Sequence, residues 1–438
     1  MSSDPSSTEP AVRQPGGAPA AHVLDVLRER GFVKQINDEA ALRQRLSEGV
    51  VTYYAGFDPT APSLHVGSLV PLMAMAHLAA AGHRAIAVLG GGTSMVGDPS
   101  GKTELRQLIS REIIAANTRG IEPQIRRVIE QGMGLAEGTA AGPDRLLLVD
   151  NAEWLLPLNY VAFLREVGAH FSVNRMLAAE AYKIRLEKGL SFIEFNYQIL
   201  QAYDFLTLRR RHGCTLQIGG DDQWGNILAG TDLIRRMDQQ EAYALTFPLL
   251  LTASGMKMGK TAAGAIWLSS DRTSVFDFYQ YFVNVDDRDV APMLGLLTFL
   301  PMDEVRRLSA LQGADLREAK TALAFEVTRL IHGQEAAENA RAAARAAFGG
   351  DGAAANVPTV AVSSGELSAG HKVVDVLARA GLAPSKSAAR RLVAQGGVRV
   401  GERKVDSVDD AFLPSEVDEK GVLLHAGKKH VRRVIRDD

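Results

Sequence analysis

Residues Val51 to Gly92 read VTYYAGFDPTAPSLHVGSLVPLMAMAHLAAAGHRAIAVLGGG. Val51 to Phe57 is a β-branched and aromatic run, which reads as a strand. Leu69 to Ala81 follows as a helix, and Ala85 to Leu89 as a second strand running into Gly90-Gly91-Gly92. Further along, Leu146 to Val149 and Thr215 to Ile218 read as two short buried strands. Strands alternating with helices imply an α/β fold on a parallel sheet covered on both faces. In such sheets ligands bind beyond the C-terminal ends of the strands. The loops to read are therefore those after residues 57, 89, 149 and 218.

The chain has 438 residues, 46% of them apolar and 23% charged, which excludes a disordered, collagen-like or coiled-coil protein. At roughly 100–200 residues per domain it holds roughly two to four domains. Lys plus Arg is 49 against 51 for Asp plus Glu, so total charge makes no case for a nucleic-acid partner. The lone cysteine, Cys214, excludes an internal disulfide and a cysteine-built metal cage, and fits a reducing compartment. No apolar run reaches the ~18 residues that span a bilayer, and the N-terminus lacks the apolar core of a secretory signal. The expectation is a soluble, cytoplasmic protein without membrane contact, opened by a disordered leader over residues 1–20.

Charge is distributed unevenly. A Gly-, Ala- and Ser-rich stretch over 348–370 reads as a linker. From His371 onward there are 14 Lys plus Arg against 10 Asp plus Glu. The excess forms two clusters. One is Lys386, Arg390, Arg391, Arg399, Arg403 and Lys404; the other is Lys428, Lys429, Arg432, Arg433 and Arg436. One cluster alone reads as a solvated face, whereas two in a short module point to a polyanion partner.

Three common nucleotide motifs fail. Gly101-Lys102-Thr103 and Gly259-Lys260-Thr261 end like a phosphate-binding P-loop, but the required earlier glycine is Val96 in one and Ser254 in the other. Gly90-Gly91-Gly92 lacks the third glycine of a dinucleotide fingerprint, where Met95 stands. After the first strand, Asp58-Pro59-Thr60 leads to His65-Val66-Gly67-Ser68 at a helix start, where N–H groups and the helix dipole favour phosphate. Gly67 lets a nucleotide approach the backbone, and His65 can donate to phosphate oxygens. A histidine at a helix start is more often a cap, so its companions decide.

Ser191 and Glu194 fit a capping box, and beyond it Tyr197, Gln201 and Asp204 share one face of a helix that is otherwise apolar nearly all round. Buried amide and carboxylate groups need partners, which fits a pocket for a small polar ligand. Ile218 to Asn226 follows a strand, with glycines for close contact and carboxylate and amide groups for ribose hydroxyls. Gly255 to Thr261 places Lys257 and Lys260 in a glycine-rich, mobile segment able to close on a polyphosphate.

Taken in order, these segments resemble the bacterial-type tyrosyl-tRNA synthetases, a family of class I aminoacyl-tRNA synthetases. The resemblance runs from about Val23 to the C-terminus. It rests on Tyr54-Ala55-Gly56-Phe57-Asp58-Pro59-Thr60, His65-Val66-Gly67, Gly97-Asp98-Pro99-Ser100 and Phe195-Asn196-Tyr197. It continues through Gln201-Ala202-Tyr203-Asp204, Asp222-Gln223-Trp224-Gly225-Asn226 and Lys257-Met258-Gly259-Lys260-Thr261. It implies a Rossmann-like catalytic domain over 21–247, a signature loop with a helical domain over 248–347, and an α+β RNA-binding domain over 371–438. That last module resembles the ribosomal-protein S-four type through His371-Lys372-Val373-Val374, Ser387 to Arg391 and Gly396-Gly397-Val398.

By this resemblance Tyr54 and Asp204 bind the phenol of tyrosine, and Asp98, Tyr197 and Gln201 its ammonium group. Gly56, Asp58, Thr60, His65, Gly67, Ser68, Gly220, Asp222, Gln223 and Lys260 hold ATP and the adenylate. His65, Lys102, Arg106, Lys257, Lys260 and Thr261 stabilise charge during the reaction. Lys386, Arg390, Arg391, Lys428, Lys429, Arg432 and Arg433 bind tRNA. The implied reaction activates L-tyrosine with ATP, accompanied by Mg2+, and transfers it to tRNA(Tyr). ATP is then a substrate, no cofactor is tightly bound, no residue is singled out as a metal ligand, and the assembly is a homodimer.

Two positions depart from the family pattern: Ser68 stands where His or Asn is common, and Asp221, where Ser is frequent, sets a second carboxylate beside the adenylate. Tyr54 with Asp204 suits a phenol better than the donor-only indole of a tryptophanyl-type enzyme. A nucleotidyltransferase outside the synthetases leaves the tyrosine pocket unexplained. A catalytically inactive RNA-binding relative leaves His65, Lys257 and Lys260 unexplained.

Overall fold

The computed structural model describes residues 21–100, 109–137, 145–187, 189–252, 255, 258–261, 264–348, 356–418, 420–427 and 429–437. Strands β1 (Gln35–Ile36), β2 (Thr52–Phe57), β3 (Arg84–Leu89), β4 (Leu146–Asp150), β5 (Cys214–Gly220) and β6 (Tyr243–Phe247) form one sheet, ordered β1-β6-β5-β2-β3-β4. Strands β2 to β6 run parallel, and β1 closes one edge antiparallel to β6. Chain order reverses between β2 and β5, which opens a crevice beyond their C-terminal ends.

Alternation along β2 divides the interior. Tyr53, Ala55 and Phe57 enter a core with Leu72 and Met73 of the helix Leu69–Ala80 and Ile125 and Ile129 of the helix Arg111–Glu137. Tyr54, with Ile86 and Val88 of β3, enters a second core against Ile199, Phe205 and Leu206 of the helix Tyr197–His212. Leu233 and Ile234 of the helix Trp224–Asp238 complete that face. The crevice opens on this second side.

After the sheet, β7 (Lys260–Thr261) and β8 (Gly264–Ala265) form a small hairpin. Five helices follow: Val275–Val283, Asp287–Leu297, Met302–Ser309, Leu316–His332 and Gln334–Ala347. Phe278, Phe282, Met293, Leu323 and Val327 extend the first core, so sheet and helical region share one apolar interior.

The C-terminal sheet contains β9 (Thr359–Ser363), β10 (Val398–Val400), β11 (Arg403–Lys404), β12 (Val422–Ala426) and β13 (His430–Asp437), ordered β11-β10-β12-β13-β9. The helices Val373–Arg379 and Lys386–Ala394 pack on it around Val374, Leu377, Ala389 and Val393. This corrects the linker expected over 348–370. Thr359–Ser363 is β9, paired in parallel with β13, and Ser364–Ser368 is a helix opened by a capping box of Ser363 and Glu366. A composition rich in small residues conceals an edge strand in which Val362 is the one fully buried side chain. Residues 349–355 and the leader over 1–20 lie outside the described residues.

This sheet docks on the helical region. Val357 and Val431 meet Phe276, Ala343 and Ala347 in a small apolar cluster. Beside it, Arg432 donates two hydrogen bonds to the Asp277 carboxylate, at 2.9 and 2.8 Å. Among the described residues no helix is long and apolar enough to cross a membrane.

Candidate active site

Tyr54, Gly56, Asp58, Asp98, Tyr197, Gln201, Asp204, Gly220 and Gln223 line one cavity at the crevice between β2 and β5. Thr60, His65, Gly67, Ser68 and Asp222 sit on the loops that continue from those strands. Residues from four separated stretches of chain therefore converge.

At the closed end, Tyr54 is fully buried, its ring 5.3 Å from that of Phe205, and its hydroxyl has no hydrogen-bond partner. Burial, reinforced by the Asp204 charge, holds this phenol well above its ordinary range. Asp204 is equally buried. Desolvation pushes its carboxyl up to about 7, with Asp58 and Asp150 adding to the effect. Two donors oppose the rise: Asn151 Nδ2 at 2.9 Å and Trp154 Nε1 at 2.7 Å. Asn151 is itself held, since its Oδ1 accepts from Gly92 N at 2.8 Å and its Nδ2 also reaches Thr93 Oγ1 at 3.0 Å. Neither Asn151 nor Trp154 stands out in the sequence. The available signal is Asn151's place directly after β4, in one of the four loops expected to matter.

Asp58 accepts from the Tyr197 hydroxyl at 3.0 Å and the Thr93 hydroxyl at 2.8 Å. Its closeness explains part of the glycine run: a Cβ on Gly90 would lie 2.1 Å from Asp58 Oδ1. Asp98 accepts from Ser100 N at 2.9 Å and Gln223 Nε2 at 2.7 Å. Burial raises its carboxyl above the ordinary value, and neighbouring Asp58 adds to that. Asn226 Nδ2 donates to Gln201 Oε1 at 3.1 Å and to Gln223 Oε1 at 3.3 Å, joining the two amides. Asp58, Asp98 and Asp204 give the cavity a lining suited to a cation, while Tyr54 supplies a hydroxyl without a mate.

At the outer end, His65 Nδ1 accepts from Gly67 N at 3.0 Å. That bond assigns the ring proton to Nε2, making Nε2 the donor. A Cβ on Gly67 would lie 2.7 Å from His65 Cε1, so only glycine fits. Ser68 begins the Leu69–Ala80 helix and makes no side-chain cap bond. The signature-loop region is stitched alongside: Val66 N donates to Ile266 O at 3.0 Å, and Leu268 N to Leu64 O at 2.8 Å. Gly259 N donates to the Tyr281 hydroxyl at 3.1 Å. Lys102, Arg106, Lys257 and Lys428, with the side chains of Lys260 and Thr261, lie outside the described residues.

Asp221 has partners that its sequence position does not reveal. Its Oδ1 accepts from Gln35 Nε2 at 2.6 Å and Thr246 Oγ1 at 3.0 Å, which engages one carboxylate oxygen with the β1–β6 edge of the sheet. The two basic clusters also differ. Arg390 and Arg391 are exposed on the Lys386–Ala394 helix, and exposed Lys386 pairs with Asp375 at 2.8 Å. Lys429 reaches Asn284 O at 3.4 Å, Arg433 reaches Lys420 O at 3.5 Å, and Arg432 is engaged by Asp277.

Comparison with known proteins gives the family. Residues 46–349 match the model of the tRNA synthetases class I (W and Y), and residues 372–417 match the S4 domain. The chain is 51% identical over 414 residues to a tyrosine–tRNA ligase of Clostridium tetani, covering 94% of this chain and 99% of that relative. The chain belongs to the tyrosine–tRNA ligase family. A tyrosine–tRNA ligase of Clostridium botulinum is 50% identical over 415 residues, again covering 94% of this chain and 99% of the relative. Among solved structures, a C-terminally truncated mitochondrial tyrosyl-tRNA synthetase of Aspergillus nidulans superposes with a TM-score of 0.67 at 32% identity, covering 75% of this chain and 94% of that one. The first match covers β2 to β6 and the helical region, and the second covers the helices Val373–Arg379 and Lys386–Ala394 with β10 and β11.

Proposed function

We infer that this tyrosine–tRNA ligase family member activates L-tyrosine with ATP and transfers the tyrosyl group to the terminal ribose of tRNA(Tyr). One observation carries the choice of amino acid: a buried Tyr54 hydroxyl without a partner shares a cavity with the buried Asp204 carboxyl. A substrate phenol can accept from Tyr54 and donate to Asp204; an indole can only donate. Asp98, Tyr197 and Gln201 take the ammonium group, which leaves the substrate carboxylate pointing out toward His65 and the nucleotide.

That carboxylate attacks the α-phosphorus of ATP, forming the acyl–phosphate bond as the bond to pyrophosphate breaks. It is already ionised, so no general base is needed. His65 Nε2–H donates to phosphate oxygens, and Lys102, Arg106, Lys257, Lys260 and Thr261 meet the charge that develops on the leaving group. The side chains of Asp222, Gln223 and the backbone at Gly56 and Gly220 hold the adenylate. Mg2+ accompanies the ATP phosphates and lowers their charge. Catalysis is then positioning plus electrostatic stabilisation. In the second step a ribose hydroxyl of tRNA takes the acyl group, with the outward-facing Lys386, Arg390 and Arg391 holding RNA phosphates.

A homodimer in the cytoplasm accompanies this reading. It is supported by the exposed apolar residues Tyr160, Val161, Phe192 and Ile193, which concentrate between 156 and 193. The test is ATP–pyrophosphate exchange with each amino acid in turn, followed by tRNA charging. Exchange driven by tyrosine is expected; exchange driven by tryptophan, or none with either, would overturn the reading.

A further inference from the structure

We propose that Asp221 is a positioning residue for the adenylate-binding turn, acting through Gln35 on the edge strand and not by touching the nucleotide. The proposal rests on the ligase reading above. Asp221 opens the turn Asp221–Gln223 directly after β5. The same short stretch carries Gly220 in the cavity wall and Gln223, whose amide reaches Asp98 at 2.7 Å. Gly219 and Gly220, which precede the turn, are paired with Thr246 and Phe247 of β6, so the turn is carried on the end of the sheet.

A single oxygen extends this restraint past the end of β5. Asp221 Oδ1 accepts from Gln35 Nε2 at 2.6 Å and from Thr246 Oγ1 at 3.0 Å. Gln35 and Thr246 are themselves cross-strand partners in the β1–β6 pair. The carboxylate therefore ties three segments, near residues 35, 221 and 246, at the same end of the sheet. Its Oδ1 is occupied by two donors, neither of which lines the cavity. With the tie intact, Gln223 keeps the direction that places its amide on Asp98; without it, the turn can shift beyond the last β5–β6 pair.

The test compares Asp221→Ala, Asp221→Asn, Gln35→Ala and the Asp221→Ala/Gln35→Ala double variant by pyrophosphate exchange, with thermal melts on the same preparations. Asp221→Ala should raise KM for ATP about fivefold to tenfold, the loss expected of about one ordinary hydrogen bond, with kcat nearly unchanged. Asp221→Asn keeps an acceptor and should recover most of that loss. Gln35→Ala should reproduce most of the rise, and the double variant should add little to it. If Asp221→Asn is as impaired as Asp221→Ala, the charge acts on the nucleotide directly and the proposal fails. It fails too if the KM values for tyrosine and ATP and the melting temperature all move together, since the tie is then merely structural. Active parent protein with unaffected Asp221→Ala and Gln35→Ala variants overturns this proposal alone. A parent without exchange activity overturns the ligase reading and the proposal together.

Discussion

Asp204→Asn should stabilise the protein at mildly alkaline pH while disabling its use of tyrosine. In the unfolded chain this carboxyl ionises near the ordinary 3.8, whereas in the folded protein desolvation delays ionisation to about 7. Between those values the folded state binds more protons than the unfolded one, so stability falls as pH rises. At roughly 1.4 kcal/mol per pH unit, the accumulated cost by about pH 8 is roughly 4 kcal/mol. Asparagine carries no charge to desolvate, but its single amide oxygen faces two donors, Asn151 Nδ2 and Trp154 Nε1. Leaving one donor unpaired costs about 1–3 kcal/mol. The variant should therefore gain about 1–3 kcal/mol at about pH 8 and lose a similar amount at about pH 4. Urea unfolding of both proteins at the two pH values measures the crossing. Steady-state exchange should show kcat/KM for tyrosine falling toward that for phenylalanine. A stability difference that does not change with pH would refute the assignment of a late-titrating proton to Asp204.

Gly67→Ala puts a methyl group 2.7 Å from His65 Cε1 and 3.0 Å from Nδ1. Displacing the imidazole by about 1 Å should cut exchange about 100-fold while leaving tyrosine binding by calorimetry near the parent value. Tyr281→Phe removes the acceptor of the Gly259 amide and should slow kcat for exchange by about fivefold, again without weakening tyrosine binding. Paired Arg390→Glu and Arg391→Glu should flatten the salt dependence of tRNA binding by about one log–log unit for each RNA phosphate no longer neutralised, whereas Arg432→Ala should leave the slope near that of the parent. Filter binding across a salt series distinguishes these, and equal slopes for both would remove the distinction between the two clusters.

Legibility follows how local each signal is. β2 and β3 announce themselves by β-branched and aromatic runs, whereas the Ser191–Glu194 capping box opens only the short helix Phe192–Phe195, and the helix bearing Tyr197 starts separately after Asn196. β1 escapes because it is two residues long, and β6 because every position is buried and no alternation exists to detect. The polar stripe of Tyr197, Gln201 and Asp204 is readable from helical spacing. What orients Asp204 is not: Asn151 and Trp154 are 53 and 50 residues away along the chain. Asp221 is engaged by Gln35, 186 residues upstream, and Arg432 by Asp277, 155 residues upstream. Counting charges finds cations but not the carboxylates that have already claimed them.

The parallel pairing of β9 with β13 separates what is covalently continuous from what holds together. Thr359 to Ser363 lies in register with Arg433 to Asp437, and parallel neighbours cannot be joined by a tight hairpin. Between them the chain passes through the exposed turn at Ser368, Ala369 and Gly370, a natural site for a protease. Cleavage there would leave β9 on the upstream piece and its partner on the downstream one, with Val362 still in the core and Val357 and Val431 still packed on Phe276. The covalent chain would be divided and the folded domain would not, so a denaturing gel would report two pieces where the native protein remains one body.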